Sequence, residues 1–404
     1  MQETIKIDGF ASVHSHAFQR ALRARTQRRS SSAHSFWSWR GLMFHLAQSL
    51  SPQDIYNIAH FAYIELALSG VTAVGEFHYL HHQPNGTPYG DRLELSHAVI
   101  QAAKDAGIRI TLIRAAYQRA GYMQTLVSGQ NRFCDPQIDD VLYDLENLQH
   151  HYQHDPLVKI AVAAHSIRTV PIDSIRQLVS YAEIKQQPFH MHIAEQRREL
   201  LECQHEYGLT PVDLLAKHQL LSANFVAVHA THLNLSEISA LGAVGAQIAL
   251  CRTTERDLGD GNPPVPSLLQ AGAKLCFGVD SYTSSDAFEE MRAAELDART
   301  LTETRHAAAE APELLKAATT QGYIAIGQQH AIGHDHTWLR ADDPALCDAP
   351  PQHISDAIVF SGSPRAVERV SVGDTIIVDQ GQHKNYHAAL EAYRSTLKRL
   401  NFDQ

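Results

Sequence analysis

Two histidines one residue apart, His14 and His16, stand where a short apolar run at 10–13 gives way to polar sequence. Side chains two apart on a strand point to the same side. Both imidazoles therefore aim at one point, and two neutral imidazoles are half of a tetrahedral zinc site. With 26 histidines in the chain, such a pair arises by chance and gains weight only if the other half is present. His192 lies near the end of a second apolar run, 189–194, and Glu195 follows it by three residues. His229 and His232 close a third run, 225–230. Asp280 follows Cys276, Phe277, Gly278 and Val279, a place where an aspartate is costly unless paired or ligating. Three imidazoles and a carboxylate leave room for a water, whose pKa zinc lowers towards ~7, and Glu195 is spaced to carry protons beside it. The chemistry these residues point to is metal-assisted hydrolysis. Lys159 begins its run rather than ending it, so a carbamylated lysine bridging two metals is not expected, and one metal is.

The elements that must hold these groups are legible as texture. Short apolar runs at 10–13, 72–79, 109–117, 158–165, 189–194, 225–230, 247–251 and 274–279 alternate with amphipathic stretches. That alternation predicts parallel strands with helical crossovers, and eight is the count of an α/β (β/α)8 TIM barrel. A doubly wound sheet would carry a glycine-rich phosphate turn after the first run, and none is there. Barrel enzymes place their chemistry at the C-terminal ends of the strands. Those ends supply His14 and His16; Glu76, His78 and Tyr79; His165 and Arg168; His192 and Glu195; His229 and His232; and Asp280. His190 shares a face with His192 one layer deeper and reads as a packed barrel histidine. Ser51 and Pro52 start a helix that stops before Gly70, and helices are predicted at 93–106, 139–150, 172–184, 289–301 and 313–325. Residues 330–355, rich in His, Asp and Pro, read as an irregular excursion, followed by strands at 357–360 and 375–378 and a helix at 386–400. The expected organisation is a barrel over 10–327 and a reduced satellite β region formed by 1–9 with 328–404.

Composition narrows the class of partner. A net charge of −10 over 404 residues argues against nucleic acid or an anionic membrane surface, while leaving a basic pocket for a small acidic molecule open. No apolar run approaches the ~20 residues of a membrane span, and the polar start, 1–7, lacks the apolar core of a signal peptide. Five widely spaced cysteines (Cys134, Cys203, Cys251, Cys276 and Cys347) predict a reduced, cytoplasmic protein without a disulfide framework.

The His-x-His, His-x-x-Glu, His and Asp set resembles the amidohydrolase superfamily in its mononuclear aminohydrolase branch. More narrowly, VHSHAFQR (13–20), SFWSWR (35–40), EFHY (76–79), HSIR (165–168), HIAEQ (192–196), HATH (229–232) and LGDG (258–261) look like the formimidoylglutamate deiminases of histidine degradation, over about residues 10–325. The resemblance implies metal ligands His14, His16, His192 and Asp280, and one divalent ion, zinc or alternatively iron. It implies Glu195 as acid/base, His229 and Asp280 as its catalytic partners, and substrate contacts from Gln19, Arg40, Tyr79, His165, Arg168 and His229. It also implies release of ammonia and a homodimer. The residues agree: N-formimidoyl-glutamate is a small dicarboxylate amidine, and Arg40 and Arg168 offer two bidentate carboxylate forks, with Gln19 and Tyr79 as neutral donors. Trp37 and Trp39 are expected to pack. The sequence departs from the family at Tyr282, where a histidine is usual, and in the charged turn 251–256, from which Arg252 or Arg256 is expected near the pocket mouth. The alternative substrates are a related formimidoyl or amidino acid, or a cyclic amidine of purine or pyrimidine type.

Overall fold

The computed structural model describes residues 3–27, 36–127 and 129–401; Met1, Gln2 and Ser35, used in the sequence reading, lie outside them. Eight strands pair in parallel in strict chain order: β2 (Phe10–Ser15), β3 (Val71–His78), β4 (Arg109–Ala116), β5 (Val158–Ala164), β6 (Phe189–Ile193), β7 (Phe225–His229), β8 (Gln247–Leu250) and β9 (Lys274–Phe277). Every residue of β2, β3 and β4 is buried, as strands covered on both faces must be. The outer cover includes α1 (Phe36–Ser49) and α2 (Pro52–Leu68). A reciprocal Ser51–Asp54 capping box starts α2, satisfying donors that would otherwise be orphaned.

The sheet closes at the mouth, where the chemistry is expected. The Asp280 amide donates to the His14 carbonyl (3.0 Å) and the His16 amide to the Asp280 carbonyl (2.9 Å). Gly278 permits that approach, because a Cβ there would lie 2.7 Å from the His14 Cβ and carbonyl oxygen.

A second, antiparallel sheet runs β1 (Thr4–Asp8), β10 (His336–Arg340), β11 (Val367–Val372), β12 (Thr375–Asp379) and β13 (Gln382–His383). It is fuller than the sequence led us to expect. β10 lies inside the supposed excursion, its alternating burial disguised by His336 and Arg340. The run 357–360, read as a strand, belongs to the helix Ile354–Phe360; four apolar residues cannot distinguish the two states by periodicity. The helix expected at 313–325 is split, with a π turn at Ala317–Gln321 between Ala311–Lys316 and Gly322–Ala325. Among the described residues no helix is long and apolar enough to cross a membrane.

Candidate active site

β2 turns His14 and His16 inward, β6 brings His192 beside them, and Asp280 follows β9. The Nε2 atoms of His14 and His16 lie 3.1 Å apart, those of His14 and His192 3.1 Å, and those of His16 and His192 3.4 Å. The Asp280 Oδ1 sits 3.6 Å from the His14 Nε2 and 3.3 Å from that of His16. The tautomers decide what these contacts are. The Nδ1 of His16 donates to the Phe77 carbonyl and the Nδ1 of His192 to the His165 carbonyl, each at 2.9 Å. Their Nε2 atoms therefore present lone pairs, which repel unless a cation lies between them. Tetrahedral zinc, with bonds of about 2.0–2.2 Å, has ligand–ligand edges of about 3.3–3.6 Å. The spacing of the donors fits one ion with bonds of that length.

Burial sets the protonation states this requires. It lowers the pKa of His14, pulls His16 down to about 3 with help from the His14 charge, and holds His192 well below the ordinary range. Burial alone would push the Asp280 carboxyl up, but His14, His16 and His229 hold it below the usual carboxylate range. His229 behaves oppositely to its neighbours. Burial opposes its charge, yet Glu195, the Glu255 hydrogen bond and Asp280 raise it to about 10. Its Nε2 faces Asp280 Oδ2 (3.8 Å) and Glu195 Oε1 (4.0 Å), while Nδ1 meets Glu255 Oε1 at 3.2 Å. Glu195 is itself raised by burial, against the charges of His229 and Arg168, which suits a group that both accepts and returns a proton.

The backbone at the strand ends is bent to achieve this. Ala194, His229, Ala230 and Asp280 all have positive φ, between 49° and 71°, a conformation costing non-glycine residues about 1–3 kcal/mol each. The Ala194 turn swings Glu195 over the cluster, and the buried Glu199 carboxylate braces it by accepting the Ala194 and Glu195 amides (3.3 and 3.2 Å).

Above the cluster the pocket is lined by His16, Gln19, Arg40, Tyr79, His165, Arg168, His192, Glu195, His229 and Asp280, with His14 at its floor. An apolar wall of Phe36, Trp39, Met43, Phe44, Phe133 and Leu258 faces them. The Arg168 guanidinium is buried, and its Nε and Nη1 have no hydrogen-bond partner among the described residues; the Gln19 Oε1 is likewise unmatched. Gln19 donates through Nε2 to the Tyr79 hydroxyl at 2.8 Å, so its free atom is an acceptor rather than the donor expected. Trp37 lies beneath three guanidinium groups, those of Arg40, Arg168 and Arg198, at 5.2, 5.7 and 4.5 Å from its ring.

Several residues collected from strand ends do not enter this pocket. Phe77 points inward onto His14, His16 and His192, so Glu76 and His78 on either side face away from it. Glu76 accepts from the Ser15 hydroxyl (2.5 Å) and the Ala17 amide (2.8 Å), and His78 packs on His81. Tyr282 joins that outer layer through Ser15 Oγ at 2.8 Å. His232 lies against Gly261, outside the lining. Arg252 and Arg256 do not reach the mouth: Arg252 pairs with Glu255 and Asp297, and Arg256 with Glu289 and Asp297. Arg252 thereby locks the carboxylate that holds His229. The sequence reading missed Tyr117, Glu199, Glu255 and the apolar wall. Tyr117 was findable, since it ends its run as Tyr79 and His165 end theirs.

The barrel and the His/Asp cluster at its mouth fit a hydrolase whose centre can hold a metal ion. Residues 6–335 match the model of the amidohydrolase family, and the chain belongs to that family. It is 34% identical to a formimidoylglutamate deiminase of Pseudomonas aeruginosa, over 98% of this chain and 89% of that protein. A crystal structure of an amidohydrolase from Brucella melitensis superposes with a TM-score of 0.92 at 31% identity, covering 98% of this chain and 90% of that one. A 5-methylthioadenosine/S-adenosylhomocysteine deaminase of Pelotomaculum thermopropionicum is 25% identical over 98% of this chain and 86% of that protein.

Proposed function

We propose that this protein hydrolyses N-formimidoyl-L-glutamate to N-formyl-L-glutamate and ammonia. The observation that carries the reading is the pair of guanidinium groups, Arg40 and Arg168, lining the pocket that also holds His16, His192, Glu195 and Asp280. Arg168 keeps two buried N–H donors unmatched among the described residues, an arrangement costly without an anion to meet it. Two such forks above a hydrolytic centre suit a substrate with a carboxylate at each end and an amidine between.

His14, His16, His192 and Asp280 would hold zinc, which supplies the Lewis acidity that makes water nucleophilic near neutral pH. The chain's own groups handle the protons. Glu195 removes one proton from the water as its oxygen bonds to the formimidoyl carbon, and returns it to the terminal nitrogen. Asp280 accepts the second proton and gives it up to the same nitrogen as that group departs. His229, held by Glu255, stabilises charge on the new oxygen. The carbon–nitrogen bond breaks, both water hydrogens leave on ammonia, and the water oxygen becomes the formyl oxygen.

A second reading, deamination of a purine- or pyrimidine-type ring, draws on the apolar wall and on the 25% identical deaminase. A neutral ring offers nothing for two guanidinium groups. Ammonia release separates the readings, with N-formimidoyl-L-glutamate set beside its aspartate homologue, adenosine and 5-methylthioadenosine. The proposal expects kcat/KM at least tenfold higher for the glutamate compound than for any other. Turnover of the nucleosides alone would overturn it.

A further inference from the structure

Tyr117 follows β4, is buried, and lines the pocket between Arg40 and His165. Its ring stands edge-on to His165 (centroids 5.0 Å apart) and packs on Phe133 (5.7 Å). Its hydroxyl is constrained by Gln130. Gln130 accepts the Val127 backbone amide through Oε1 (2.8 Å), which fixes its amide orientation, and donates through Nε2 to the Tyr117 oxygen at 2.7 Å. The Arg40 guanidinium lines the same pocket, and the Gln130 donor occupies a lone pair of the phenolic oxygen. The hydroxyl hydrogen has no acceptor among the described residues and is left to the pocket. A phenol driven into the role of donor beside an arginine is a site for an anion.

We infer that Tyr117 is a third carboxylate-binding group of this site: its O–H donates to the same substrate carboxylate that Arg40 holds, with Gln130 fixing the direction. This rests on the dicarboxylate reading above and adds a specificity element to it. An uncharged amide at that end of the substrate would bring an NH2 group that competes with the donors already there, so the site selects acid over amide.

The test uses the full-length, metal-loaded protein, with glutarate as a plain dicarboxylate probe and N-formimidoyl-L-glutamate as substrate. Tyr117→Phe keeps the ring and removes the hydroxyl. A hydrogen bond to a charged acceptor is worth enough that glutarate binding and KM should each weaken about tenfold, with kcat within about twofold and metal content unchanged. Gln130→Glu turns the buttress into an acceptor, so it should draw the hydroxyl hydrogen away and weaken glutarate at least as much. Glutarate affinity unchanged in Tyr117→Phe would overturn the inference even if the wild type turns over the substrate. The reverse pattern, glutarate weakened tenfold in a protein that releases no ammonia, would keep Tyr117 as an anion ligand and remove the proposed function instead.

Discussion

The two ends of the barrel are built from the same residue types and treat them in opposite ways. At the bottom, Arg109 donates to Asp335 through Nε (2.7 Å) and Nη2 (2.9 Å), and to the Pro156 carbonyl through Nη1 (2.8 Å). Asp335 also accepts from the Tyr323 hydroxyl (2.9 Å) and the Gly373 amide (2.8 Å). That network ties β4 to the second sheet, and its charges answer one another. At the mouth, Arg168 and Gln19 are just as buried and keep polar atoms without partners among the described residues, while three imidazole nitrogens and a carboxylate converge on one point. Buried polar groups that satisfy each other hold a fold; buried polar groups left unsatisfied around a pocket are placed to meet a ligand. The difference lies in the geometry, since arginine, aspartate and tyrosine occur at both ends.

Substitutions at the two ends should fail differently. Glu195→Gln keeps shape and removes proton transfer, so kcat should fall about 10²–10⁴-fold with metal content and Tm unchanged; ammonia kinetics beside metal analysis check this. Arg109→Ala leaves Asp335 buried without its cation and should cost about 3–5 kcal/mol of stability. Denaturant unfolding measures that loss, and kcat of the protein that remains folded at low temperature should hold. Arg168→Met inverts the pattern. It should reduce kcat/KM about 10²-fold, as loss of a buried charge partner does, and cost far less stability than Arg109→Ala, because no hydrogen-bonded partner among the described residues is stranded. A large fall in Tm would class Arg168 with the bottom network.

A further effect concerns pH. Burial raises the Glu290 carboxyl to about 8 despite its Thr253 hydrogen bonds, whereas an unfolded glutamate titrates near 4.3. A folded-state pKa above the unfolded one gives a contribution that is complete below about pH 4.3 and is lost as pH rises towards about 8. Glu290→Gln should therefore flatten the decline of Tm between pH 5 and 8, by about 2–4 °C per kcal/mol recovered. An unchanged slope would show that Glu290 does not titrate there.

Much of this was readable before any coordinates. The strand count and the positions of His14, His16, His192, Glu195 and Asp280 at strand ends followed from short apolar runs, alternating with amphipathic stretches, that break into polar sequence at one end. The second sheet was harder, because His336 and Arg340 disguise the alternation of β10 and four residues at 357–360 carry no usable period. Facing was hardest. Glu76 and His78 end β3 as properly as any ligand, and only the inward turn of Phe77 shows that they point outward. Sequence likewise could not reveal that Arg252 braces Glu255 rather than reaching the mouth, or that Gln130, thirteen residues after Tyr117, aims its hydroxyl.

The central claim is one cation and two guanidinium groups facing a single dicarboxylate. Crystals grown with zinc and glutarate, measured at the zinc absorption edge, test it most directly. One anomalous peak should lie about 2.0–2.2 Å from the Nε2 atoms of His14, His16 and His192 and from the Asp280 carboxylate, with the two ends of glutarate on Arg40 and Arg168. Two peaks, a peak away from these four residues, or glutarate bound away from both arginines would contradict it.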